Sequence, residues 1–491
     1  MYTETHYGKN MKILKNYFYN LLYEVAALVV PLVLTPYISR VLEVDGIGKY
    51  SVAVAISNYF ILFGMLGINM YGNRQIAYVR DDPEEMRNTF WEINVMKTLS
   101  MGTAILVYLG FVFFAVAEDR KTLYYFQIFT LLASLVDISW LFTGMENFKK
   151  TTIRNIVVKF SGVGLVLLLV KTRDDLALYA CIIGATTFLG QMVLWLSIPS
   201  HIRHFGIRVK KLKKHFLSTI QLWLPSIAIQ IYASLDKIML GYMVGDVQAG
   251  LYESSQKLIK MVSVISTSFT TATLPRMSNL YNKGNENSFK ELTERSVMFL
   301  SFLSVPLAFG LVGIRKTLVP WFFGPGYEEI INLLMISAWL LISLAWSSVF
   351  GNQVLVACNH EKKYTQAVFI NLILNITMNI ILIPRLGAMG ALIASVGAEY
   401  IGMMVMAVSV KRLYNLGIPK AVFKYFLAGA CMCIVVSWIG SHMQAIVLAT
   451  GVQIVVGAIV YFAILLLTRD AFLLGSLSYT RKLIDKLRRG K

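Results

Sequence analysis

Two stretches decide how this chain is read: EVDGIGKYSVA at residues 43–53 and GDVQAGLYESS at residues 245–255. Each lies between two long apolar segments. Each carries an acidic residue in a short polar turn and then Gly-x-Tyr opening an apolar run, Gly48 and Tyr50 in the first and Gly250 and Tyr252 in the second. A second match follows at a similar offset, where ENFKKTTIRN (146–155) and NHEKKYTQAV (359–368) place Lys149-Lys150 opposite Lys362-Lys363. Two matched corners in the same order predict one duplicated unit.

Working outward, the 491 residues are 56% hydrophobic and only 15% charged, with a mean hydropathy of +0.62. A soluble chain of this length would need far more charge to cover its domains. Apolar segments of about twenty residues recur instead, each able to cross a hydrocarbon layer of about 30 Å. The sequence predicts an all-α polytopic membrane protein with spans near 17–39, 50–72, 90–116, 122–143, 151–170, 176–198, 216–240, 250–273, 296–314, 329–350, 365–383, 388–410, 423–441 and 445–468. The polar start, with no small-residue cleavage site after the first apolar segment, predicts an uncleaved first helix.

The formal charge of +19 raises the question of nucleic acid, and its distribution answers it. Lys9, Lys12 and Lys15 precede span one; Arg74, Arg80 and Arg87 follow span two; Lys149, Lys150 and Arg154 follow span four. HIRHFGIRVKKLKKH follows span six, and SYTRKLIDKLRRGK ends the chain. Basic connections alternate with poorer ones, which marks a cytoplasmic face and puts both termini there. The charge therefore belongs to the bilayer, with the tail expected as an amphipathic surface helix, and no nucleic-acid partner is expected. The four cysteines fall in or beside apolar segments and read as small buried hydrophobes.

The repeat gives an N-terminal lobe at 1–200, a basic linker at 201–215, a C-terminal lobe at 216–412, two extra spans at 413–468 and a basic tail at 469–491. Six spans per lobe is an even number, so the lobes share one orientation about an axis along the membrane normal, as in transporters that rock about a central site.

Ionisable groups within spans cost about 2.5–3.5 kcal/mol each at a helix centre and usually face a bundle interior or watery cavity. The embedded cations are Lys97, Lys159, Lys237, Lys257 and Lys260; Lys97 and Lys237 lie nearer span ends, where snorkelling is open to them. On span eight Glu253, Lys257, Lys260 and Thr267 share one helix face. Span seven carries Ser226, Gln230, Ser234 and Lys237, span eleven Asn371, Asn375 and Asn379, and span one Asn16, Asn20 and Glu24. Single polar residues glue helices together; stripes on several helices predict a shared hydrated cavity. The embedded acids are Glu24, Asp137, Asp236, Glu253 and Glu399, to be read either as partners of the lysines or as a proton or cation relay, for which Glu24, Asp236, Glu253 and Glu399 are the candidates. A cationic cavity implies an anionic cargo, since Lys offers a compact charge suited to phosphate.

The chain resembles the Wzx-type polysaccharide repeat-unit flippases of the multidrug/oligosaccharidyl-lipid/polysaccharide exporter superfamily. The resemblance rests on ISRVLEVDGIGKYSVAVAI, LFTGMENFKKTTIRNI, LDKIMLGYMVGDVQAGLYESSQKLI and TLPRMSNLYNKGNE. It implies fourteen helices in two lobes around a V-shaped cavity that opens alternately to each side. The implied cargo is an undecaprenyl-pyrophosphate-linked oligosaccharide, passed to the outer leaflet for capsule or O-antigen synthesis alongside polymerase and export machinery. The pyrophosphate would meet the lysines, the sugars would fill the cavity with help from Gln230, Asn371 and Asn375, and the lipid tail would stay in the bilayer. Related flippases use lumen arginines where this chain has lysines.

Three other readings compete. A teichoic acid or peptidoglycan precursor flippase has the same pyrophosphate and polyprenol. A drug–cation antiporter of the superfamily would line its cavity with acids and aromatics. A membrane glycosyltransferase would use Glu43-Val44-Asp45 as a metal-binding acidic motif in an outer loop, but such enzymes need a large outer domain, and two acids in a turn are ordinary loop chemistry. No nucleophile, acid–base pair or metal spacing is found, so the expectation is a transporter without cofactor.

Overall fold

The computed structural model describes residues 2–416, 418–443, 446–470 and 472–475, with side chains from residue 29 onward except at 209–210, 221–222, 224–226, 229 and 265. The described residues are all-α. The helices are α1 (Tyr2–Met65), α2 (Ile68–Val79), α3 (Pro83–Ala115), α4 (Glu118–Leu135), α5 (Ser139–Gly144), α6 (Phe148–Leu169), α7 (Leu176–Leu196) and α8 (Val209–Met243). They continue as α9 (Asp246–Asn282), α10 (Glu286–Phe322), α11 (Ile330–Ser337), α12 (Leu340–Ser347), α13 (Glu361–Tyr414), α14 (Val422–His442) and α15 (Ile446–Leu467).

Among the described residues, ten helical segments are long and apolar enough to cross a membrane. Two of them hold two crossings each: α1 breaks at Glu43 (φ 56°, ψ 179°) and α13 at Gly387 (φ 55°, ψ −134°). With α8 and α9, of 35 and 37 residues, this accommodates the fourteen expected spans. Several boundaries follow from local chemistry. Pro83 opens α3 behind Asp82, whose Oδ1 accepts the Glu84 and Glu85 amides at 3.0 and 3.1 Å, an N-cap that satisfies two otherwise orphaned donors. Span ten ends in a π-helical segment, Ser348–Val356, a form that concentrates at functional sites.

The chain divides into two compact units, 1–250 and 251–491. In the first, a buried cluster of Ile68, Phe90, Ile93, Trp140, Leu141 and Phe142 draws α2, α3 and α5 together, with the Phe90 and Trp140 rings stacked at 5.5 Å. The sequence repeat assigns span seven to the second lobe, but by contact α8 belongs to the first unit. Trp223 donates its Nε1–H to the Leu62 carbonyl at 2.9 Å, beneath the break at Gly67 (φ 74°), where a side chain would strike the Trp223 backbone. Likeness between two stretches of sequence and packing between helices are separate properties, and α8 separates them. In the second unit α10 packs on α14 and α15, the two helices outside the repeat; Phe302 meets Tyr425 and Tyr461 with ring centroids 5.8 and 5.9 Å apart.

The two corners that open the sequence touch each other within the first unit. A methyl group at Gly48 would lie 1.8 Å from the Asp246 carbonyl oxygen, and one at Gly250 would lie 2.1 Å from that of Val44. Val44 precedes Gly48 by the same interval as Asp246 precedes Gly250, so the contact is reciprocal. Only glycine permits so close a backbone approach. Ion pairs ring it: Arg120 to Asp246 at 2.7 Å, Lys49 to Asp45 at 2.9 Å, and Arg173 to Asp45 at 3.0 Å and to Glu43 at 3.1 Å. Burial pushes the Asp246 carboxyl above the ordinary aspartate range, against the opposing pull of Arg120.

Candidate functional site

In the first unit the embedded lysines separate by environment. Lys97 is 0% exposed and donates its Nζ–H to the Asp137 carbonyl at 2.5 Å. Asp137 in turn accepts the Ser139 amide at 2.8 Å and so organises the start of α5. Lys97 is thus a clasp between α3 and the α4–α5 break, with its ammonium engaged inside the bundle. Lys159 lies on the buried stripe of α6, in helical register with Thr152, Gly162 and Val166. On α8, Gln230 donates to Ser234 at 3.3 Å, so these two members of the expected stripe share a face. Asp236 beside it is buried and its charge reaches Tyr59 of α1, and Lys237 follows, half-buried.

In the second unit, α9 is two-faced. Tyr252, Ser255, Gln256 and Ile259 are buried, whereas Lys260 and Thr267 are exposed and Glu253 and Lys257 are half-buried. Those four sit on the less packed side, as their spacing requires. The hydroxyls along that side are tied to the helix itself, Ser263 to the Lys260 carbonyl at 3.0 Å and Thr267 to the Val264 carbonyl at 3.0 Å. Their lone pairs stay open while their protons are spent.

The asparagine ladder of α13 behaves differently. Asn375 and Asn379 are 0% exposed; Asn379 donates to Asn375 at 3.1 Å, Asn375 to Ser395 at 3.5 Å, and Ser395 meets the Tyr252 hydroxyl at 3.2 Å. The ladder ties both halves of α13 to α9 across the Gly387 break. Asn371, one turn earlier, packs against Gly402, and Glu399 is buried near Tyr364. Glu24, Asn16, Asn20 and Ser226 lie outside the described side chains.

Two features were missed in the sequence. Glu92, near the start of span three, and His215, at the end of the basic connection 201–215, meet inside the first unit. Their signal was present: Glu85 and Glu92 share one face of α3, and Arg208, Lys211 and His215 recur at helical spacing. The other is an apolar cavity of about 450 Å³ between α9, α10, α14 and α15, lined by Val262, Pro306, Gly310, Met432, Gly457 and Tyr461 among others. The acidic motif Glu43-Val44-Asp45 is engaged by Arg173 and Lys49 in the corner described above.

The model of the family described as "Polysaccharide biosynthesis protein" matches residues 13–281, more than half of the chain. The chain belongs to that family. The MatE model also matches, over residues 222–384. Among named relatives, the "Putative O-antigen transporter" of Escherichia coli (strain K12) is 23% identical over 387 residues, covering 78% of this chain and 92% of that protein. The lipid II flippase MurJ in an inward closed conformation superposes with a TM-score of 0.70 at 16% identity, over 93% of this chain and 99% of that one. An inward-facing multidrug resistance MATE transporter gives 0.59 at 14% identity, over 84% and 99%. The fold of this family member is that of the MurJ and MATE transporters, a multi-pass membrane protein.

Proposed function

We propose that this family member is a flippase, moving polyprenyl-pyrophosphate-linked oligosaccharide repeat units from the inner to the outer leaflet by alternating access, for cell-surface polysaccharide synthesis. The reading takes the two six-span lobes, with cytoplasmic termini, as the rocking halves. The observation that carries it is the two-faced α9: Lys257 and Lys260 stand on the less packed side of a 37-residue helix whose other side is buried. Two point charges one turn apart match a pyrophosphate, and open hydroxyl lone pairs along the same side match sugars. The apolar cavity beside α14 and α15 is chemically suited to an isoprenoid chain. An inward-negative potential favours outward movement of an anion by about 2.3 kcal/mol per charge per 100 mV, so the net direction needs no coupled ion.

The test is flipping of a fluorescent polyprenyl-pyrophosphate oligosaccharide in proteoliposomes, comparing wild type with Lys257→Ala/Lys260→Ala. Protein-dependent flipping that falls at least tenfold in the folded double variant is the expected result. Flipping that survives intact moves the phosphate site elsewhere. Transfer of sugar to an added acceptor, without flipping, would make the protein an enzyme.

A further inference from the structure

Tyr71, His215 and Glu92 form an unbroken chain of hydrogen bonds through three elements of the first unit. The Tyr71 hydroxyl meets His215 Nδ1 at 2.6 Å, and His215 Nε2 meets Glu92 Oε2 at 2.9 Å. All three are sequestered, with exposures of 2%, 6% and 0%. The other Glu92 oxygen, Oε1, accepts the Arg208 backbone amide at 3.1 Å and its Nε–H at 2.7 Å. Arg208 and Lys211 both reach Glu85, at 2.5 and 3.3 Å. These outer groups are partly solvated, so the chain runs from the surface to an enclosed imidazole. The groups that face it are Tyr71 and Arg74 from α2, Glu85 and Glu92 from α3, and Arg208, Lys211 and His215 from the segment entering α8, among the described residues.

We propose that Tyr71, His215 and Glu92 are a proton-binding site of the transporter, and that its occupancy sets how firmly the 203–215 connection is docked on α3. The site rests on the transporter reading for its purpose but not for its chemistry. With a neutral imidazole the hydrogen-bond chain is complete: Tyr71 donates to Nδ1, Nε2–H donates to Glu92, and the carboxylates of Glu85 and Glu92 offset Arg208 and Lys211 while Arg74 faces the cluster from α2. One added proton adds a further positive charge to a cluster already rich in cations. The imidazolium then claims more of Glu92, Nδ1–H donates to the Tyr71 oxygen, and the hold of Glu92 on Arg208 weakens. The proton enters and leaves by the cytoplasmic end, through which α8 would also have to move when the halves rock. Histidine suits the task because its charge changes between about pH 5 and 8.

The test uses two readouts that need no cargo. The protein, labelled with ¹⁵N-histidine in nanodiscs, is titrated by NMR, and the His215 resonances are assigned by their loss in His215→Gln. Resonances of the His215 ring that respond to pH are expected, with the response displaced to lower pH in Glu92→Gln, because the carboxylate favouring imidazolium is gone. Tyr71→Phe keeps the ring packing and serves where Glu92→Gln does not fold; it should perturb Nδ1 and leave Nε2 in place. In the second readout Ile202→Cys, placed at a buried residue whose carbonyl holds Trp91 at 2.9 Å, is labelled with a soluble maleimide, the four native cysteines being replaced by serine. Labelling should rise several-fold on the acid side of the His215 midpoint and lose that dependence in His215→Gln. A His215 that does not titrate overturns the proposal, as does titration with unchanged labelling. A protein that titrates and loosens but flips nothing supports the site and removes the flippase reading instead.

Discussion

At the scale of the residue, Lys97 and Glu92 illustrate how position along one helix leaves role undecided. They stand five residues apart on α3, both fully buried, and each satisfies its charge with a partner that spacing does not reveal. Lys97→Met keeps the stem and deletes the donor to Asp137, so a loss of about 1–3 kcal/mol is expected, read as a lower unfolding temperature in detergent with flipping per folded molecule unchanged. Retained stability with lost flipping would return Lys97 to the cargo path. Glu85 makes a pH prediction. Arg208 is the larger cause, with Lys211, of a Glu85 carboxyl held down to about 2. A depressed carboxyl contributes stability above its unfolded value of 4.5, and the contribution is lost as pH falls through about 2. Unfolding followed across that acid window should show a shallower decline in Glu85→Gln than in wild type. The pair is over a third exposed, so the difference is small and falls with added salt.

At the scale of the element, spacing correctly placed Glu253, Lys257, Lys260 and Thr267 on one side of α9, because helical period alone determines which residues share a face. The same rule put Asn371, Asn375 and Asn379 together on α13. It could not say whether a shared face meets water or another helix, and here the ladder meets Ser395 and Tyr252. Period was legible; the neighbour was not, because it comes from far along the chain. The corner gives the sharpest test at this scale. Gly250→Ala sets a methyl group where the Val44 carbonyl lies, so the contact must part. A cysteine at Val44, buried in the intact corner, should label several-fold faster in the Gly250→Ala background, and equal rates would mean that the backbone absorbs the change.

At the scale of the whole molecule, composition and the alternation of basic connections were enough for class and crossings, since the bilayer imposes both. The likeness of the two corners at Gly48 and Gly250 was legible because the close backbone approach found there restricts residue choice to glycine. The helix breaks at Glu43 and Gly387 fall in the gaps expected between spans one and two and between spans eleven and twelve; what was not legible is that helix would run up to a single residue from both sides, with almost no loop. Orientation is open to direct measurement. A reporter that fluoresces only in the cytoplasm, fused after Lys491, is expected to be bright, and an equivalent fusion in the Val116–Ala117 connection between α3 and α4 dark.

The reciprocal contact of Gly48 and Gly250 offers a test of the duplication that the sequence repeat predicts. Two identical half-length proteins would make the same contact across a true twofold axis, where one mutation strikes both walls at once. In a single polypeptide each wall can change alone. Gly48→Ala and Gly250→Ala set equivalent methyl groups against opposite walls of the contact, and on the duplication reading any inequality between their effects measures how far two former copies have diverged.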